Sequence, residues 1–302
     1  MHSVEALYKY RRIVAIGGGH GLGKVMASLG FLKDRLTGIV ATTDDGGSTG
    51  RLREMNDCIA WGDLRNCLNQ LCADNPNLSR ILFEYRFKED SGDLSHHNLG
   101  NLIFMAMDQM CVRPLDAVNL VRQILQVETQ LIPMSEQPAS LAGIINGEQV
   151  VGETTIDSLE ATPEKLMLIP EISPTKEAID AIEEADLIIL GPGSFMTSIL
   201  PALLMKDVSE AILKSTAQTV FVGNINPELS SVRKLAIREK LDWLYSMTGI
   251  YPDILLWPSE RSLPSGVKCP VRQEPLADSI QSGTHSKKGL RKALDKIAAE
   301  HL

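Results

Sequence analysis

The strongest constraint on this chain is an apolar run that ends on glycines. Residues 12–16 read RIVAI, and Gly17-Gly18-Gly19-His20-Gly21-Leu22-Gly23-Lys24 follows at once. A helical pattern then covers Leu22 to Leu32, and a second apolar run, LTGIVAT, covers residues 36–42. Strand, glycine turn, helix, strand is the opening of a parallel sheet, because parallel neighbours need a crossover and a helix usually supplies it. Glycines at such a turn permit positive φ. They also let a phosphate reach the free N–H groups at a helix start. The loop fits neither standard phosphate motif. The third glycine of the Rossmann fingerprint falls on Leu22. The Walker A spacing fits from Gly18 to Lys24 but then meets Val25, which has no hydroxyl for Mg²⁺.

Beyond Thr42 the alternation of strand and helix lapses. Thr43 to Gly50, TDDGGSTG, reads as a polar loop. Trp61–Asp74, Leu78–Phe87, His97–Met110 and Pro114–Val127 each space apolar residues by three and four, the signature of a helix. Strand patterns return at Thr129–Met134, in a hairpin over 140–156 turned by Asn146-Gly147, and at Lys165–Ile169. A helix from Ser173-Pro174 to Ala185 comes next, with serine as N-cap and proline at the first turn. The remaining expectations are a strand at Leu187–Leu190, helices to about Met205 and over Val208–Lys214, and a strand at Thr219–Val222. They continue with a long helix over Leu229–Met247, strands at Asp253–Leu256 and Gly266–Val271, and an amphipathic helix from Ser286. The pattern predicts one α/β domain over residues 1–302. Its sheet should be mainly parallel, with a helical insertion at about 60–127.

Several polar clusters fall at strand ends, where open α/β sheets bind ligands. Asp44, Asp45, Gly46, Gly47, Ser48, Thr49 and Arg51 follow the second strand. The two aspartates suit Mg²⁺, a sugar hydroxyl or a base role; the glycine amides, Ser48 and Thr49 suit phosphate or sugar oxygens, and Arg51 a bidentate phosphate contact. Asp63 in GDLRN either faces a ligand or lies against a helix start. His97, Asn98 and Asn101 open a helix with hydrogen-bonding groups. Gly191, Gly193, Ser194 and Thr197 repeat the strand–glycine–helix logic and offer a second anion site, beside Asn224 at the end of another strand. No Gly-x-Ser-x-Gly elbow surrounds Ser194, which argues against a serine hydrolase.

Net charge is −8, with 30 Lys and Arg against 38 Asp and Glu, so broad nucleic-acid binding is not expected. The five cysteines are scattered without a Cys-x-x-Cys pair, which points to reduced thiols and a cytoplasmic setting. The N-terminal MHSVEALYKYRR lacks the apolar segment of a secretory signal. The charge-free run from Leu187 to Met205 is broken by Gly191-Pro192-Gly193-Ser194 and Pro201, so membrane insertion is not expected.

Taken together, GGGHGLG, TTDDGGSTGRLR, GDLRN, HNLGNL and GPGSFMTS resemble the YvcK-like gluconeogenesis-factor family, within the superfamily of 2-phospho-L-lactate transferase. The resemblance runs from about residue 12 to the late strands. It implies a Rossmann-like three-layer α/β fold, and a cytoplasmic factor needed for cell shape in gluconeogenic growth that binds UDP-sugars such as UDP-N-acetylglucosamine. It implies binding loops at Gly17–Gly23, Asp44–Thr49, Asp63, His97, Asn98, Asn101 and Gly191–Ser194. The alternative is a Mg²⁺-dependent transferase moving a phosphorylated group to a hydroxyl, with Asp44, Asp45 or Asp63 as catalytic or metal-binding candidates. His20-Gly21-Leu22 departs from the threonine- and proline-containing first loop of the transferase branch. The sequence leaves open a homodimer.

Overall fold

The computed structural model describes residues 6–72, 78–281 and 283–301. The first five residues of the N-terminal segment, and Ala73 and Asp74 at the expected end of one helix, lie outside them. Strand β1 (Ile13–Gly17) leads into helix α1 (Gly19–Leu29) and back to β2 (Leu36–Val40). Five helices follow without an intervening strand: α2 (Gly47–Met55), α3 (Gly62–Leu71), α4 (Leu78–Glu84), α5 (Leu99–Met110) and α6 (Pro114–Ile124). Then come β3 (Gln130–Pro133), β4 (Ser140–Ile145), β5 (Glu148–Val151), α7 (Glu153–Ser158), β6 (Lys165–Ile169) and α8 (Lys176–Glu183). The last part holds β7 (Leu187–Leu190), α9 (Leu200–Leu203), α10 (Lys206–Lys214), β8 (Gln218–Val222), α11 (Ile237–Thr248), β9 (Ile254–Pro258), β10 (Val271–Glu274) and α12 (Lys287–His301).

Seven strands form one parallel sheet in the order β10-β9-β8-β7-β1-β2-β3. Successive side chains of a strand point to opposite faces, and both faces here are covered. Ile13, Ala15 and Ile189 pack with Leu22 and Met26 of α1, Leu64 of α3 and Leu294 of α12. Val14, Ile16 and Ile188 pack with Ile182 of α8, Ile212 of α10 and Leu241 of α11. This is the expected three-layer, Rossmann-like arrangement. The central strands are apolar throughout because neither face meets water. The Asn146-Gly147 hairpin is present, with positive φ at both turn residues. It belongs to a separate antiparallel sheet, β5-β4-β6.

The strand order reverses between β1 and β7. Chain progression from β1 runs to β2 and β3 on one side, and from β7 to β8, β9 and β10 on the other. The two connections diverge there and leave a crevice at the strands' carboxyl ends.

Several boundaries differ from the sequence reading. The polar loop after β2 is helical from Gly47, so Ser48 and Thr49 sit in the first turn of α2. The helix after β6 starts at Lys176, because the Thr175 hydroxyl donates to the Pro133 carbonyl and Ser173 is held by Ser135 and Gln137 instead. The span 229–247 is not one helix: Glu239 accepts the Ala236 N–H at 2.7 Å and starts α11 at Ile237, after a separate short turn over Ser231–Lys234. The last strand begins at Val271 because Pro270, without an N–H, gives the ladder only its carbonyl, to Leu255.

Candidate functional site

The glycine turn after β1 and the glycine turn after β7 meet across the crevice. A Cβ on Gly21 would lie 2.2 Å from the Pro192 carbonyl oxygen, so only glycine lets these two segments touch. Leu22 N–H bonds the Gly18 carbonyl, which makes Gly18 the N-cap and puts Gly19, Gly21 and Gly23 inside α1. That start is earlier than the expected Leu22. Gly17 is the last residue of β1, and Gly23 packs against Gln70 of α3. His20 is exposed at the crevice.

Gly18 and Gly19 face Asp63, at the first turn of α3. A Cβ on Gly18 would be 2.3 Å from Asp63 Oδ2, and one on Gly19 (φ +52°) would be 3.0 Å from Oδ1. The Asp63 carboxylate accepts the Gly19 N–H. Burial and the nearby Asp44 carboxylate push the Asp63 carboxyl up to about 7, against the pull of the Gly19 amide, Arg65 and Asn66. Asp44 closes the other side: a Cβ on Gly62 would be 2.8 Å from Asp44 Oδ2 and 2.5 Å from Thr49 Oγ1. Asp44 Oδ1 accepts the Gly46 N–H at 2.9 Å. Asp45 Oδ1 accepts the Thr154 N–H at 3.0 Å, tying the loop to α7.

The second turn has its own internal carboxylate. Ser194 caps the π-helical turn Phe195–Ile199, its Oγ accepting the Thr197 N–H. Glu228 Oε2 accepts the Phe195 N–H at 2.8 Å, and its other oxygen pairs with Lys240. Asn224 brackets Gly193, accepting its N–H at 3.1 Å and donating to its carbonyl at 2.8 Å. Thr197 Oγ1 donates to Asp157 of α7 at 3.4 Å.

A third group of the expected residues supports the first two from behind. Ser48 Oγ meets His97 Nδ1 at 3.1 Å and accepts the Asn98 N–H. Burial and the cations Arg51 and Arg86 hold His97 below the usual histidine range. Asn98 caps α5 with its Oδ1 on the Gly100 N–H. Asn101 links Arg65 Nε at 2.9 Å to Thr49 Oγ1 at 3.4 Å. Arg51 donates to the Ser95 carbonyl at 2.8 Å. These side chains bond one another, which fixes the positions of α2 and Asp63. Gly47, at the start of α2, is exposed with positive φ and open space around its Cα.

Sequence reasoning missed Glu153, Asp157 and Glu228. Glu153 sits at the N-terminus of α7, reached through Gly152 at φ +105°. Thr43 Oγ1 donates to it, while burial and then Asp63, Asp44 and Asp45 raise its carboxyl well above the usual range. A glycine before a glutamate at the end of a hairpin is the signal that was there to find.

The hard oxygens of Asp44, Asp45 and Asp63 suit Mg²⁺, which takes one or two carboxylates and fills the rest of its octahedron with water and phosphate. Among the described residues no group of three or more His, Cys, Asp or Glu is arranged to hold a metal ion. Among the described residues no helix is long and apolar enough to cross a membrane.

Fold and crevice together define an open α/β protein with a crevice at a topological switch point. The family model described as 2-phospho-L-lactate transferase CofD matches residues 13–282, and the chain belongs to that family. A Pasteurella multocida protein, provisionally named a gluconeogenesis factor, is 44% identical over 98% of this chain and 96% of its own length. A Halalkalibacterium halodurans protein named gluconeogenesis factor is 32% identical over 97% of this chain and 86% of its own length. A crystal structure of a UPF0052-family protein from Bacillus halodurans superposes with a TM-score of 0.84 at 28% identity, covering 96% of this chain and 98% of that one.

Proposed function

We propose that this protein binds a nucleotide-linked sugar of the UDP-N-acetylglucosamine type in the β1–β7 cleft. It would act as a cytoplasmic regulatory factor for cell shape in gluconeogenic growth. The observation that carries the reading is the meeting of two glycine turns at the switch point, in a chain whose relatives bear the gluconeogenesis-factor name. The diphosphate lies along the start of α1 at Gly19, His20 and Gly21, where helix-end amides favour an anion. Asp63 already takes the Gly19 N–H, so a phosphate at that amide displaces a carboxylate whose neutral form is stabilised by burial. Asp44 and Asp45 accept hydroxyl hydrogens from the sugar. The reading takes residues 1–302 as one α/β domain with residues 60–127 as a helical insertion.

The facing of Asp44 and Asp63 favours one second reading, a transferase. Mg²⁺ held by Asp44 and Asp45 would neutralise the leaving phosphate, and Asp63, with its carboxyl near 7, would take the proton of an acceptor hydroxyl. Calorimetry with UDP-N-acetylglucosamine, with and without Mg²⁺, separates the two when the recovered ligand is weighed by mass spectrometry. A regulator binds without metal and returns the ligand unchanged. A transferase requires metal and yields a new product.

A further inference from the structure

On the opposite face of the sheet from α1, a narrow cavity of about 40 Å³ opens between the second glycine turn and residues 224–240. Phe195, Phe221 and Trp257 wall it and belong to the core under α8, α10 and α11, whereas α1 packs in the other core. Three cations line it, Arg233, Lys240 and Arg261, against one carboxylate, Glu228. Two positive charges therefore stand unmatched, in a chain whose net charge is −8. We propose that this cavity binds a small tetrahedral dianion, for which inorganic phosphate is the probe. The site lies apart from the first glycine turn, and the inference does not rest on the nucleotide-sugar reading.

Size and charge select the ligand. A water needs roughly 10–15 Å³ of such space, so the cavity holds a few waters or one small ion and has no room for a sugar or a base. A neutral ligand leaves both charges unmatched, and a monoanion leaves one. A phosphate dianion matches both, and its oxygens suit guanidinium and ammonium donors.

The cations are held in place with donors to spare. The Lys240 ammonium is buried, pairs with Glu228 and lies 5.9 Å from the centre of the Phe195 ring. One of its three donors is spent on the glutamate. Arg261 lies 4.5 Å over the Trp257 ring and donates through Nη1 to the Asn224 carbonyl at 3.1 Å, one of its five donors. Burial holds the Arg261 guanidinium below its ordinary range, against the pull of Glu228, so its charge is poorly solvated. Arg233 stands exposed at the mouth. Poorly polar walls strengthen the attraction of these charges for an anion. Occupancy also reaches the second glycine turn. Glu228 holds Lys240 with one oxygen and the Phe195 N–H with the other, at 2.8 Å, so a dianion beside Lys240 competes with the carboxylate that fastens the turn.

The test is calorimetry of inorganic phosphate into the full chain in a mildly alkaline chloride buffer of fixed ionic strength. The wild type should bind one phosphate saturably. Arg233→Gln should weaken it at least about tenfold, the value of one charge-assisted hydrogen bond. Arg233 is exposed, so this variant should melt with the wild type. Glu228→Gln keeps an acceptor for the Phe195 N–H and removes the competing charge, so phosphate should bind at least about tenfold more tightly. Lys234→Gln removes a neighbouring charge that does not line the cavity and should leave the affinity unchanged. Equal weakening by Arg233→Gln and Lys234→Gln would reduce the effect to general surface charge and overturn the site. A loss in His20→Ala that Arg233→Gln does not share would put the phosphate in the β1–β7 crevice and overturn it too. Absence of saturable phosphate binding by the wild type overturns it outright and leaves the nucleotide-sugar reading untouched.

Discussion

A methyl group on Gly18 would lie 2.3 Å from Oδ2 of Asp63, which places an α3 carboxylate directly against the glycine turn. Gly18 has an extended backbone, φ −146°, so alanine there meets no conformational penalty. The prediction is that Gly18→Ala displaces Asp63 and weakens UDP-N-acetylglucosamine binding at least about tenfold, while the circular dichroism spectrum is unchanged. Equal affinity in a folded variant would show that the Asp63 position is irrelevant to the ligand.

Asp63 also makes a prediction about pH. Its carboxyl is raised from 3.8 to about 7 in the folded protein, so the folded state holds a proton there that the unfolded chain has released. Between about pH 4 and pH 7 the folded state therefore binds more protons, and stability falls as pH rises. In metal-free buffer Asp63→Asn should remove this fall. It should match the wild type near pH 4 and exceed it at pH 8, by at most about 4 kcal/mol for three pKa units. Denaturant melts at the two pH values check the sign. A variant less stable than wild type at pH 8 contradicts it.

Glu228 and Lys240 form an ion pair with side-chain exposures of 10% and 11%, and Glu228 also holds the Phe195 N–H. Glu228→Ala strands the lysine in a poorly solvated place. The expected loss is about 3–5 kcal/mol, read as a lower urea midpoint. Glu228→Gln keeps the amide contact but not the charge, so it should fall between. A midpoint unchanged by the alanine variant would mean that the pair is solvated in solution.

His20 stands exposed beside the first turn, while Leu22, where dinucleotide sites carry a glycine, is fully buried. UDP-sugars should bind far better than NAD or NADP, and His20→Ala should cost about tenfold of that preference. Competition binding measures it. Displacement of a UDP-sugar by NAD at comparable concentration contradicts the placement of the diphosphate.

The central sheet was legible because β1, β2, β7 and β8 are apolar on both faces and end on glycine or polar turns. The turns at 17–23 and 191–194 were legible as places of close approach, and the structure divides their glycines. Gly21 and Gly23 pack against Pro192 and Gln70, whereas Gly18 and Gly19 face Asp63. Spacing along the chain carries no sign of that division, because it depends on where α3 lies. Glu228 was illegible for the same reason: its partner Lys240 lies twelve residues further along the chain, beyond a short turn. Arg51, Asn98 and Asn101 were picked out as ligand groups from their places after a strand and at a helix start. In the folded chain Asn98 caps α5, Arg51 ties to the Ser95 carbonyl and Asn101 bridges Arg65 to Thr49.

The most direct test of the whole account is titration calorimetry of UDP-N-acetylglucosamine into the wild-type protein and Gly18→Ala, without Mg²⁺, with mass spectrometry of the ligand afterwards. The account predicts saturable one-to-one binding by the wild type, recovery of intact ligand, and at least about tenfold weaker binding by the variant. No heat with the wild type, or identical isotherms for the two proteins, would contradict a nucleotide-sugar site at the β1–β7 cleft.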